Sequence, residues 1–176
     1  MADVTIEIVD YDPAWPVRFE READRMAEIL GDRVVSIEHI GSTAVPGLAA
    51  KPIVDIVPVV ADVDDGEVCA RRLAEAGYYR SHKDRGDDWI ELGREADDGQ
   101  EFNVHIRPRD SERLRRNLLL RDYLRDHPDA HEEYARVKRE AAAKHPEDPD
   151  AYTRAKSAVI ESILGRAREA GYEPDI

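Results

Sequence analysis

The chain has 176 residues, 41% of them hydrophobic and 37% charged, and its 39 acidic against 26 basic side chains give a formal net charge of −13. That length leads us to expect one domain, or one domain with a helical appendage, and the apolar content is enough for an ordinary core. The acidity argues against a general nucleic-acid coat. No apolar run approaches the roughly 20 residues that span a bilayer.

The first residues, MADVTIEIVDYD, lack the basic and apolar regions of a signal peptide. Val4 to Val9 alternates and predicts a short strand. Asp12-Pro13 is a helix start, with Asp as cap and Pro at the first helical position. Trp15, Phe19, Ala23, Met26, Ala27 and Leu30 recur at helical spacing up to Gly31. Val34 to His39 predicts a strand. Pro52 to Val60 is almost continuously apolar and predicts a central buried strand. Residues 64–76 predict an amphipathic helix closed by Gly77. Tyr78-Tyr79, Asp88 to Leu92 and Glu101 to Ile106 predict further strands. Pro108 marks a change of texture: helices are expected over about 111–126, 130–144 and 150–170, separated by His127-Pro128 and by 145–149. Residues 1–107 are therefore read as an α/β core and 108–176 as a helical cap, packed together as one unit.

Cys69, the single cysteine, cannot form an internal disulfide, so a reducing cytoplasm is the expected location. It is read as a small core residue. The basic side chains are 21 Arg and only five Lys, while Asp also numbers 21. Such a composition suits either a saline habitat or GC-rich coding, and it draws attention to each lysine that is present.

The densest polar cluster is EHIGSTAVPGLAAKPIVD, residues 38–55. Gly41 lets the backbone turn closely, and Ser42 and Thr43 offer hydroxyl and N–H groups suited to phosphate oxygens. Asp55 lies within an otherwise apolar strand, where a carboxylate must be paired, hydrogen-bonded or metal-bound. Lys51 stands at the entrance to that strand. The alternative is purely structural, with Ser42 and Thr43 capping a helix and Asp55 accepting local hydrogen bonds. Spacing alone leaves both readings open.

The run HIGSTAVPGLAAKPIVDI resembles the signature of the GrpB family, a domain also found fused to dephospho-CoA kinases. The resemblance extends through Tyr11-Asp12-Pro13-Ala14-Trp15-Pro16 with Phe19, Ala76-Gly77-Tyr78, Asn103-Val104-His105-Ile106, Leu120 to Arg125, Tyr134 with Lys138, and Tyr152 with Lys156. It implies the nucleotidyltransferase fold, a polymerase-β-like mixed sheet, here with a C-terminal three-helix cap. In that superfamily Gly-Ser cradles nucleotide phosphates, and Asp-x-Asp on the next strand holds metal. Gly41 and Ser42 match the former, and Asp55 matches the first metal-binding Asp. The second Asp falls on Val57 and is absent. The third carboxylate would lie on the 101–106 strand, whose alternation puts Glu101, Asn103 and His105 on one face.

The resemblance therefore implies catalytic roles for Asp55, as a ligand of Mg²⁺ or Mn²⁺, and for His105, as a ligand or general base. One Asp with a His and an Asn is a poor cage for the two cations of nucleotidyl transfer, so binding without catalysis stays open. Glu38, His39, Asn103, Arg121, Tyr134, Lys138, Tyr152 and Lys156 are expected to line the cleft, with Lys51, Lys138 and Lys156 neutralising phosphates. The structural alternative has each Tyr packing on a Lys stem one helical turn away. Arg113, Arg115 and Arg116 form a small basic cluster offset by neighbouring acids, so no nucleic-acid partner is expected, nor a membrane. The expected partner is a nucleotide or another phosphorylated small molecule. If the protein is catalytic, the reaction is nucleotidyl transfer. The competing reading is a non-catalytic accessory, folding or ligand-sensing domain, whose protein partner the sequence does not name.

Overall fold

The computed structural model describes residues 5–84 and 88–176. A five-stranded mixed sheet is built from β1 (Val34–Ile40), β2 (Ile53–Val60), β3 (Tyr79–Arg80), β4 (Ile90–Glu95) and β5 (Glu101–Pro108), in the order β1-β2-β5-β4-β3. The β2–β5 pair is parallel and the other pairs are antiparallel. Pro58 has no N–H to give to a ladder, and the recorded β2–β5 pairing skips from Ile56–Val104 to Val59–Arg107.

Alternation along β2 decides what each face of the sheet carries. Val54, Ile56 and Val60 point to one face. There they join Trp15, Phe19, Met26 and Leu30 of α1 (Ala14–Leu30), and Cys69 and Leu73 of α2 (Val63–Glu75), in the main core. Asp12 Oδ1 accepts the Ala14 N–H at 2.8 Å and starts α1 as the Asp-Pro pair predicts. Val57 and Val59 point to the other face and pack with Ile40 beneath Leu114 and Leu118 of α3 (Glu112–Asp126).

The helices α4 (Pro128–Lys144) and α5 (Pro149–Glu169) complete the C-terminal part. Pro128 and Pro149 each sit in a first turn, so the two Pro breaks read from sequence are helix starts. Val45 and Leu48, from the loop between β1 and β2, insert among Tyr123, Leu124, Ile163 and Ala167 of these helices. The loop that carries the polar cluster is thereby fixed to sheet and helices together. Among the described residues no helix is long and apolar enough to cross a membrane.

One expected element is absent. Val4 lies outside the described residues, and 5–9 form no strand, only a single bridge from Val9 to Ala50. The alternation serves packing instead. Thr5 and Glu7 are exposed, while Ile6 and Ile8 pack against Ala141, Ala142 and Tyr152, and the Ile6 N–H bonds Pro146 O at 2.7 Å. The segment's period of two meets a helical surface instead.

Val57 stands where the superfamily's second Asp would be, and it has no exposed surface. Val57→Asp would place an unpaired carboxylate among Ile40, Leu114 and Leu118. It should destabilise the fold by about 3–5 kcal/mol, read as a lower denaturation midpoint at pH 7, with part of the loss recovered at pH 4 as the carboxyl protonates.

Candidate functional site

The site begins at the end of β1. Gly41 has φ of 74°, and a Cβ built there would lie 2.7 Å from Asp55 Oδ2, so only glycine lets the chain turn against that carboxylate. Ser42–Ala44 forms a single 3₁₀ turn rather than a helix to be capped. Asp55, on β2, is register partner of Asn103 on β5, and His105 is partner of Glu91 on β4. These side chains form a polar stripe on the α3–α5 side of the sheet. His105 Nε2 meets Asp55 Oδ1 at 2.9 Å, His105 Nδ1 is bonded to Glu91, and Arg107 closes the chain on the other Glu91 oxygen.

Burial opposes the charge on each group, and pairing outweighs it. For Asp55 the burial penalty is overcome by His105, with help from Lys51 and Asn103, and the carboxyl titrates below its usual range. For His105 burial is overcome by Asp55 and Glu91, which lift the imidazolium to about 9. Glu91 is likewise held below its usual range against burial, by His105 and Arg107.

A cavity of about 470 Å³ opens over this stripe. Gly41, Ser42, Lys51, Asp55 and Asn103 form its sheet side, and Tyr134, Lys138, Tyr152 and Lys156 form its helical side. Lys138 is 2% exposed and donates to Ser42 Oγ at 2.7 Å and to Ala49 O. Burial, with Lys156, Lys51 and Arg139 nearby, pushes its ammonium down to about 7. Burial and Lys51 bring Lys156 down to about 8. Burial also lowers Lys51, against the pull of Asp55. The aromatic rings hold these cations: Lys138 lies 4.9 Å from the Tyr134 ring centre, Lys156 4.3 Å from that of Tyr152, and Lys51 5.5 Å from the same ring. The Tyr-x-x-x-Lys pairs thus stack as the structural alternative expects, and both lysines also line the cavity.

Other expectations are corrected. Glu38, His39 and Arg121 do not line the cavity. Arg121 spans from α3 to Glu38 Oε2 at 2.9 Å and to His39 O at 3.1 Å, so it pins the helix to β1. His39 points to the opposite face, stacked on Phe19 at 4.6 Å. Thr43 borders the cavity, but its hydroxyl is engaged by His39 Nε2 at 2.9 Å and it is 1% exposed. His105 stands beneath the wall with both ring nitrogens facing carboxylates. The two carboxylates favour its charged form, and neither ring nitrogen is left free to act as a general base.

The second carboxylate of a two-metal cage, absent from the sequence at Val57, has no substitute on the cavity wall among the described residues. Asp55 is the one carboxylate on the cavity wall among the described residues, and no group of three His, Cys, Asp or Glu is placed to hold an ion. The donor set does not fit the two magnesium ions of nucleotidyl transfer.

Sequence reasoning missed Arg113, Arg116 and Asn117 on α3 and Thr153 on α5, which all line the cavity. The available signal was the spacing of 113, 116, 117 and 120, which puts them on one helix face. The neighbouring acids hid it, and Glu161 does pair with Arg116. Glu91 and Arg107 were missed because they lie beyond His105.

The family model described as GrpB protein matches residues 5–166. This chain belongs to the GrpB family. A UPF0157 protein of Halalkalibacterium halodurans is 37% identical over 94% of this chain and 84% of its own length. A dephospho-CoA kinase of Mycolicibacterium paratuberculosis is 31% identical over 95% of this chain, which spans 47% of that protein. The crystal structure of GrpB from Enterococcus faecalis superposes with a TM-score of 0.83 at 32% identity, covering 95% of this chain and all of the other. The GLD-2/RNP-8 complex structure matches at a TM-score of 0.59 and 12% identity, over 89% of this chain and 60% of that one. The fold is thus nucleotidyltransferase-like, and at this identity the likeness concerns the fold alone.

His39 offers a test of the wall behind the Gly-Ser turn. Burial is the main cause that brings it down to about 4, from an ordinary 6.5. The unfolded chain takes up a proton at His39 before the native protein does, so stability must fall as pH drops from about 6.5 toward 4. Between pH 7 and pH 5 the wild type should lose about 2 kcal/mol more than His39→Gln does, compared through denaturant midpoints at the two pH values.

Proposed function

We propose that this GrpB-family protein binds a nucleotide or another phosphorylated small molecule in the cavity between the Gly41–Ser42 turn and helices α4 and α5. One observation carries the reading. In a chain of net charge −13 with five lysines, Lys51, Lys138 and Lys156 converge on one cavity, and Arg113 and Arg116 reach the same wall. Three ammonium groups held together, all with lowered pKa, repel one another, and an anionic ligand relieves that repulsion. Ser42 adds a hydroxyl beside Lys138, and Leu120 and Ile160, both partly exposed, offer apolar surface for the rest of a ligand. The nucleotidyltransferase-like fold supports the same class of ligand. Group transfer is not part of the reading, because the carboxylates it requires are missing from the wall.

The dephospho-CoA kinase relatives favour a second reading, a domain that serves a partner enzyme and uses the same cavity to sense a ligand. Both readings share one first experiment. Thermal unfolding is followed with a panel of nucleoside mono-, di- and triphosphates and dephospho-CoA. A ligand at 100 times its dissociation constant adds about 2.7 kcal/mol, which raises the midpoint by about 5–10 °C for a chain of this size. Lys156→Gln should remove most of the rise while leaving the ligand-free midpoint nearly unchanged. No rise with any phosphorylated ligand would rule out the pocket as a phosphate site.

Binding should also take up protons. Lys138 near 7 and Lys156 near 8 are partly neutral at pH 7.5 and become charged beside an anion. Calorimetric heats at pH 7.5 should therefore differ between buffers of low and high ionisation enthalpy in the direction of proton uptake, and the difference should shrink at pH 6.

A further inference from the structure

Resting on the phosphate reading above, we propose that the cavity takes its polyphosphate ligand as the metal-free anion, with the protein's own cations in the place that magnesium holds in nucleotidyltransferases. Three observations converge on this.

The first concerns Asp55. Its Oδ1 accepts from His105 Nε2 at 2.9 Å, Asn103 donates to the same carboxylate, and Oδ2 is pressed against the Gly41 turn. A cation there would have to displace hydrogen-bond donors already in place. The imidazole also has its own second carboxylate, Glu91, which is held by Arg107 on the side away from the cavity. The stripe is paired internally at Asp55 Oδ1 and at both Glu91 oxygens.

The second concerns the positions that would complete a cage. Val57, at the second carboxylate position, is sealed beneath Leu114 and Leu118 with no exposed surface. On β5 the side chains nearest Asp55 are a neutral amide, Asn103, and His105. Magnesium keeps to carboxylate, phosphate and water oxygens in near-octahedral array, and this wall offers it a single, already bonded carboxylate.

The third concerns charge. Lys51, Lys138, Lys156 and Arg113 line the cavity with Asp55, and Arg116 on the same wall is paired with Glu161. A free polyphosphate presents more negative charge to these groups than its magnesium complex does. Chelation would remove the charge that the wall is built to pair with. In a metal-dependent site the ion bridges phosphate to carboxylates. Here lysines and arginines can bind the phosphate oxygens directly.

The test is calorimetric titration of the full chain with sodium tripolyphosphate, ATP and dephospho-CoA. Each is run once in EDTA and once in excess MgCl₂, with ionic strength matched by NaCl. The expected result is binding in EDTA that magnesium weakens about tenfold, loss of the EDTA binding in Lys156→Gln, and no saturable heat with MnCl₂ alone. Tripolyphosphate binding as tightly as ATP would identify the polyphosphate chain as the recognised group. Preference for ATP or dephospho-CoA would identify the nucleotide as its source, and either result supports the proposal as long as magnesium weakens binding. Tighter binding in magnesium, or a saturable manganese site lost in Asp55→Asn, overturns the proposal and leaves the phosphate reading standing. No binding of any of the three ligands in either buffer overturns the phosphate reading itself, and this proposal with it.

Discussion

The structure depends on one constraint: charged groups in the middle of a sheet must answer one another. Asp55, His105, Glu91 and Arg107 come from three adjacent strands and alternate in sign across them. Glu91 and Arg107 are buried, and either one alone would cost several kcal/mol. Together they fix the register of β2, β5 and β4, since a slip by one residue would turn every member to the other face. They also fix Asp55, and Asp55 in turn determines that position 41 is glycine. The turn that carries Ser42 is therefore set by a chain of charges that starts at Arg107.

The surroundings of that stripe explain how a strongly acidic protein keeps a cationic cavity. Most of its carboxylates lie on the solvated surface, where water screens them, so they contribute little to the field inside a cleft. Within the cleft the lysine stems lie against Tyr134 and Tyr152, and burial keeps water from dispersing their charge. Arg121, read from sequence as a cleft or surface group, acts instead as a tie, and Arg125 does the same. They bond Glu38, His39 O and Ala44 O and hold α3 against the turn.

Much of this was legible in the sequence, for identifiable reasons. Hydrophobic period gave the five helices and the strands over 34–40, 53–60 and 101–108 to within a few residues, and the Gly-Ser turn with a lone Asp on a buried strand marked the site. The segment 5–9 was misread because an alternating pattern records which residues are buried but not against what. Glu91 and Arg107 were invisible because their roles arise from pairing across strands that the sequence does not register. His39 and Thr43, both within the motif, looked functional for the ring and the hydroxyl they bring to the Gly-Ser turn. The strand's alternation had already turned His39 away, toward Phe19.

The contact of Ile6 with Tyr152 has a consequence for how the cavity comes into being. Tyr152 carries two of the three lysines against its ring, and it is packed by a segment from the start of the chain that crosses to the α4–α5 corner. The strands of the sheet all lie within residues 34–108. The cationic wall exists only after the earliest part of the chain has met nearly the latest. Contacts so distant in sequence carry the largest loop-closure cost. The wall proposed to hold an anion therefore rests on contacts of longer range than those that pair the strands.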